Sequence, residues 1–299
     1  MSKGVNIFWY DMVSMITCRL QGGLGNQLFQ IFATIAYALR HDKQFKFLYK
    51  CMLGNRSTYW ETFLLPLKYF TVIQLPKMTA IKEKGFEYHA LHMPLHDNEN
   101  IELCGYFQSY KYFDTYFPQI CRMIRLEKQQ QKLLVETFTL ICRDTSISMH
   151  FRLGDYKQLS EYHPVLPVEY YKNSIRHIVS SINTEITVLY FCEVDDMPEI
   201  METRIIPLQL EFPECRFVNA SEYVLEDWRQ LLLMSLCDHH IIANSSFSWW
   251  GAYLSNYKDK DKDTSSKIIC YPDQWFGPKL QHYNTRDLFP ESWTQINIL

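Results

Sequence analysis

Ala243-Asn244-Ser245-Ser246-Phe247-Ser248-Trp249-Trp250-Gly251-Ala252 lies between a β-like stretch, His239-His240-Ile241-Ile242, and an apolar helical continuation, Tyr253-Leu254. A strand, a polar elbow and then a helix can form an anion site. Asn and Ser oxygens cap the helix, while its free N–H groups and positive dipole end face the crevice. Taken alone, an ordinary helix cap is the commoner explanation of the stretch. Two further motifs tip the balance towards the anion site.

Upstream, Ser148-Met149-His150-Phe151-Arg152-Leu153-Gly154-Asp155-Tyr156 begins inside an alternating segment, Ser146 to Phe151. Alternation puts His150 and Arg152 on one side, at the carboxyl end of a strand, with Phe151 and Leu153 opposite. Open α/β sheets bind ligands at that end. An arginine there offers a permanently charged fork for a phosphate. Near the N-terminus, Gln21-Gly22-Gly23-Leu24-Gly25-Asn26-Gln27-Leu28-Phe29-Gln30 follows a strand-like Met15 to Leu20. Its glycines permit a tight turn and close backbone approach to a ligand. It is neither the dinucleotide fingerprint, whose third glycine would fall at Leu28, nor a Walker loop, since no Gly-Lys-Ser/Thr follows.

The rest of the chain alternates in the same way. Strands are expected at Met15–Leu20, Phe45–Lys50, Ile101–Gly105, Ser146–Phe151, Thr187–Cys192, Cys215–Val218, His239–Ala243 and Lys267–Tyr271. Helices are expected at Gln27–His41, Lys128–Cys142, Val168–Ser181 and Leu225–Cys237. Repeated β-then-α units imply α/β layers built on parallel sheets. The break near Arg143-Asp144-Thr145 divides the chain into residues 1–145 and 146–299.

A length of 299 residues suits one large or two medium domains with a sizeable core. A formal charge of −3 argues against nucleic-acid or acidic-membrane partners. No apolar run reaches membrane-span length. The nine cysteines are odd in number and form no Cys-x-x-Cys pair, which reads as reduced, buried thiols in a cytosol-like compartment. Asn244-Ser245-Ser246 is formally a glycosylation sequon, yet a glycan there would block the anion site, so a secretory lumen is not expected. Lys258-Asp259-Lys260-Asp261-Lys262-Asp263 contains Asp-x-Asp twice, but its lysines would repel a cation and a solvated loop fits better. His239-His240 lie in a strand, where neighbours face opposite sides, and His89, His92 and His96 have no carboxylate arrangement that suggests a metal site.

Together the glycine-rich stretch, His-Phe-Arg-Leu-Gly-Asp-Tyr and Asn-Ser-Ser-Phe-Ser-Trp-Trp-Gly-Ala resemble glycosyltransferase family 11, the α-1,2-fucosyltransferases that use GDP-fucose. Lesser matches keep the same order: Gly105-Tyr106-Phe107-Gln108-Ser109, Tyr170-Tyr171 and Leu233-Met234-Ser235-Leu236-Cys237. The resemblance covers roughly residues 15 to 277 and implies a GT-B fold, two Rossmann-like domains with parallel sheets facing a cleft. On that basis residues 1–145 would serve the acceptor side and 146–299 would bind the donor. The resemblance further implies transfer of L-fucose from GDP-β-L-fucose to a galactose-containing acceptor glycan, with no metal or other cofactor. Most family members carry two adjacent arginines in the middle motif, whereas position 153 here is leucine.

The resemblance also suggests roles. Arg152 and the helix start at Asn244, Ser245, Ser246 and Phe247 would stabilise the departing diphosphate. Gly23 and Gly25 would line the donor cleft, Asn26 would orient donor or acceptor, and His150 would sit beside the nucleoside. Asp155 would pin the Arg152 loop, Asp238 would contact guanine, and Glu161 would be the base, by likeness to α-1,6-fucosyltransferases. Animal Golgi members of such families carry a membrane anchor, so a cytoplasmic bacterial-type or viral enzyme is expected. The alternatives are a fucosyltransferase of another linkage and a non-catalytic sugar-nucleotide or glycan-binding protein.

Overall fold

The computed structural model describes residues 14–93, 99–141, 144–257 and 267–298. Strand β1 (Met15–Cys18) passes through the glycine-rich turn into helix α1 (Leu24–Arg40), followed by β2 (Gln44–Phe45) and β3 (Phe47–Leu48). A hairpin of β4 (Met52–Leu53) and β5 (Arg56–Ser57) comes next, then β6 (Thr71–Val72), β7 (Thr79–Lys82) and β8 (Ile101–Cys104). Helices α2 (Phe117–Met123) and α3 (Leu126–Ile141) complete this half. The second half opens with β9 (Thr145–His150), α4 (Val168–Val179) and β10 (Ile186–Phe191). A helical stretch containing α5 (Met197–Ile200) and α6 (Ile206–Glu211) leads to β11 (Cys215–Asn219) and α7 (Asp227–Met234). The half ends with β12 (His239–Ile241), α8 (Ser246–Ser255), β13 (Ile269–Pro272) and β14 (Thr294–Ile296).

Two parallel sheets result, ordered β2-β1-β8-β7 and β11-β10-β9-β12-β13-β14. Counted along the chain, the second order is 3-2-1-4-5-6, that of a dinucleotide-binding sheet, so winding reverses between β9 and β12. Strand β10 is buried on both faces, as a sheet covered on both sides requires. With helices packed on both sheets and a cleft between them, the architecture is GT-B, as the sequence implies.

The glycine-rich turn and the Asn-Ser-Ser elbow meet through their helices. Phe29 and Phe32 of α1 pack against Trp249 and Trp250 of α8, with ring centroids 4.5 to 5.1 Å apart for Phe29 and 4.6 Å for Phe32 with Trp250. Both indoles are fully buried. Removing either would cost about 3–5 kcal/mol. The Trp-Trp pair is therefore core, and one apolar cluster runs from Ile16 through α1 to α7 and α8.

The expected strand Phe45–Lys50 is broken in two. Lys46 N–H still bonds the Ile16 carbonyl, but the chain then crosses to pair Phe47–Leu48 with Thr71–Val72. Strand β7 is not among the expected strands. Its residues are largely exposed at a sheet edge, which leaves no apolar alternation to read. Among the described residues, no helix is long and apolar enough to cross a membrane.

Candidate active site

Gly22 has φ +80°, the left-handed region that glycine adopts without strain, and this turn brings the chain from β1 into α1. Two glutamines of the same motif brace it. Gln30 accepts from the Gln21 amide at 2.9 Å, and Gln27 Nε2 donates to the Gly22 carbonyl at 3.0 Å and the Ser57 carbonyl at 2.8 Å. The loop and the β4–β5 hairpin are thus one unit. The start of α1 has no side-chain cap, and neither α1 nor α8 carries an acidic residue in its first turn. Ser245 caps α8 by accepting from the Phe247 amide at 3.3 Å. The two helix starts abut at Gly25 and Ser246, so two positive dipole ends face the same space.

That space is a cavity of about 480 Å³. Its walls are Gly22 to Asn26, the hairpin residues Asn55 to Ser57, and the carboxyl ends of β9, β10 and β12, which supply His150, Arg152, Glu193 and Ser245 to Phe247. Gly23, Gly25, Asn26, His150, Arg152, Asp155, Ser245, Ser246 and Phe247, all singled out from the sequence, come together here. A second cavity of about 780 Å³ adjoins it. Asn26, Tyr156 and Ser246 line both, and so form the passage between them. Asn26 is fixed there by Gln108, whose Nε2 donates to its Oδ1 at 2.8 Å.

Arg152 is held by two carboxylates. Its Nη2 donates to Asp155 Oδ1 at 2.5 Å, its Nη1 donates to Glu193, and its guanidinium lies 5.1 Å from the centre of the Tyr156 ring. An anionic ligand would take over these hydrogen-bonding directions. Asp155 pins Arg152, as the sequence suggested. His150 is buried, and its Nδ1 has no hydrogen-bond partner among the described residues. Burial, helped by the Arg152 charge, pushes its pKa down to about 3, so it is neutral near pH 7. A neutral imidazole facing the cavity suits a polar nucleoside group.

Three expectations need correction. Asp238 precedes β12 and so lies at the amino end of the sheet, away from the cavity. It accepts from the Ser146 amide at 2.9 Å and the Ser146 hydroxyl at 2.7 Å, which makes it a brace rather than a guanine contact. Glu161 is exposed, pairs with Lys279 at 2.5 Å and lines neither cavity. Asn244 lines the larger cavity, not the smaller. Its Nδ2 donates to the Pro164 carbonyl at 2.9 Å and the Trp275 carbonyl at 3.3 Å.

The larger cavity contains titratable groups that no sequence motif marks. Glu83 follows β7 and accepts from the Tyr106 and Phe107 amides at 2.7 and 2.8 Å. Burial nevertheless raises its pKa to about 7. His163 stacks on Tyr156 with centroids 4.8 Å apart, and burial lowers its pKa. Phe86, Phe276 and Tyr283 form an aromatic cluster in the same cavity. Such faces suit sugar rings. The sequence signal for Glu83 is weak, because its strand has no apolar alternation.

Among the described residues, no group of three or more His, Cys, Asp or Glu could hold a metal ion. The Asp-Lys run Lys258 to Asp263, and His96, lie outside the described residues. His240 is a core residue, bonded to Ser148 at 2.7 Å and Ser255 at 3.0 Å.

A crevice at the winding reversal of a parallel sheet, joined to an aromatic second cavity, has room for two ligands side by side. The chain belongs to glycosyl transferase family 11, whose model matches residues 14–276. It is 26% identical to an α-1,2-colitosyltransferase of Escherichia coli over 95% of this chain and 99% of that protein. It is 27% identical to the O-antigen biosynthesis glycosyltransferase WbnK of the same organism over 94% of this chain and 100% of that one. The solved structure of the fucosyltransferase NodZ from Bradyrhizobium is 13% identical, with a TM-score of 0.44 over 81% of this chain and 93% of that chain.

Proposed function

We propose that this glycosyltransferase moves L-fucose from GDP-β-L-fucose to the 2-hydroxyl of a galactoside, with inversion to an α-1,2 linkage and without a metal. The observation that carries the reading is the passage at Asn26, Tyr156 and Ser246. It joins an arginine-bearing cavity at two helix starts to a larger aromatic one. The donor occupies the smaller cavity, on the side of residues 146–299. The acceptor occupies the larger, where residues 1–145 contribute Asn26, Glu83 and Gln108. Buried thiols such as Cys18, Cys237 and Cys270 suit a reducing compartment, and so a cytoplasmic location.

In the reaction the acceptor oxygen bonds to the anomeric carbon as the bond from that carbon to the diphosphate oxygen breaks. Negative charge grows on the diphosphate, where Arg152 and the N–H groups at the starts of α1 and α8 receive it. Asn26 holds the reacting centre in the passage. The acceptor proton goes to Glu83, whose pKa of about 7 matches a general base at neutral pH. This replaces Glu161 in that role.

The α-1,2 linkage has support from a relative named for α-1,2 colitosyl transfer. Colitose is fucose without its 3-hydroxyl, so the donor sugar is the variable to test. The experiment incubates the protein in EDTA with GDP-fucose or GDP-colitose and a panel of galactosides, then assigns product linkage by NMR. An α-1,2-fucosyl product is expected. Preference for colitose would change the donor, another linkage would change the acceptor position, and activity only with added manganese would overturn the metal-free mechanism.

A further inference from the structure

Arg152 and Arg56 are the only lysine or arginine residues lining the smaller cavity among the described residues. They come from opposite halves of the chain and share one carboxylate. Arg152 Nη2 lies 2.5 Å from Asp155 Oδ1, and Arg56 Nη2 lies 3.9 Å from Asp155 Oδ2. Position 153, next to Arg152, presents no cation, because Leu153 is 2% exposed and packed in the apolar cluster of the second half.

The position of Arg56 is fixed from both sides. It sits in the β4–β5 hairpin, whose Ser57 carbonyl accepts from Gln27 beside the glycine-rich turn. Just beyond, the Tyr59 hydroxyl donates to Asp227 at the start of α7. The hairpin is therefore tied to both walls of the cavity. The Arg56 side chain is half exposed, free to move the short distance from Asp155 to a ligand.

We propose that Arg56 is the second cation of the diphosphate subsite, closing over the donor from the side opposite Arg152. Asp155 holds one oxygen towards each guanidinium, and the diphosphate takes over that bridge. Two cations against a diphosphate match charge better than one. An arginine on the far wall also makes donor binding draw the two halves together. This inference rests on the donor reading above.

Titration calorimetry with GDP in EDTA tests it, using wild type, Arg56→Gln and Arg56→Lys, with thermal denaturation of each. Hydrogen bonds from a charged group to phosphate predict about 10–100-fold weaker GDP binding for Arg56→Gln. Arg56→Lys should recover part of that loss, and both variants should melt near wild type, since the side chain is half exposed. Guanosine, which lacks the diphosphate, should bind wild type and Arg56→Gln alike. GDP bound equally by wild type and Arg56→Gln would overturn the inference alone. Equal losses for GDP and guanosine would mean a structural role and overturn it too. Failure of wild type to bind GDP would remove the donor reading together with the inference.

Discussion

A Cβ on Gly25 would lie 2.5 Å from the carbonyl carbon and oxygen of Ser246 and 2.7 Å from the Phe247 nitrogen. The two helix starts that shape the smaller cavity touch because residue 25 has no side chain. Gly25→Ala must push α1 and α8 apart, an overpacking cost of about 1–3 kcal/mol. Turnover should fall further than stability, because the same shift widens the cavity. Thermal denaturation beside initial rates checks this, and a variant as active and stable as wild type would refute the close approach.

Arg152 should dominate turnover. Its removal takes away one of the cavity's two cations and leaves Asp155 and Glu193 facing the proposed anionic donor. Arg152→Ala is expected to lower kcat by about 10³-fold or more, the scale of arginines that neutralise phosphoryl charge. Arg152→Lys should rescue poorly, because an ammonium cannot reproduce the fork. Near-normal rates in Arg152→Ala would rule out the assignment.

Leu153→Arg tests the position where the family resemblance implies a second arginine. The side chain is 2% exposed within the apolar cluster that also holds Phe151 and Ile147, so an arginine there would be a buried, unpaired charge. Such a charge costs roughly 3–5 kcal/mol. A marked fall in Tm without tighter donor binding is expected, while Leu153→Met should cost less than about 1.5 kcal/mol. A stable variant with a lower KM for the donor would show that the arginine is missed functionally.

The proposed base has a pH signature. Glu83 accepts a proton only when ionised, so kcat/KM should rise with pH and level off above about 7. Glu83→Gln should abolish that rise and slow turnover by about 10²–10⁴-fold. His163→Asn should keep it. The same shift has an opposite sign for stability. The folded carboxyl holds its proton more tightly than the ordinary 4.5, so its contribution to stability is full below pH 4.5 and lost by about pH 7. Loss of the pH limb in His163→Asn but not in Glu83→Gln would transfer the role to His163.

The smaller cavity, the proposed donor side, is readable because most of its residues follow strands and precede helices, where periodicity and capping chemistry leave a strong local pattern. The partners across the cleft are not. Arg56 sits in a hairpin whose only signal, Gly54-Asn55 between Leu53 and Arg56, is a two-residue turn flanked by very short strands. Glu83 follows a strand with one half-buried apolar residue, Ile81. Asp238 is legible in principle, since a residue preceding a parallel strand lies at the end away from ligands. The role given to Glu161 rests on likeness to another linkage class, and local pattern cannot show that its side chain turns to Lys279.

The central claim is that the donor diphosphate binds where α1 and α8 begin. Amide hydrogen exchange with and without GDP tests it most directly. Protection should appear in residues 22–26, 150–156 and 245–248, with little change in residues 79–86 and 275–283 of the larger cavity. Protection confined to the larger cavity, or none at either helix start with GDP bound, would contradict it.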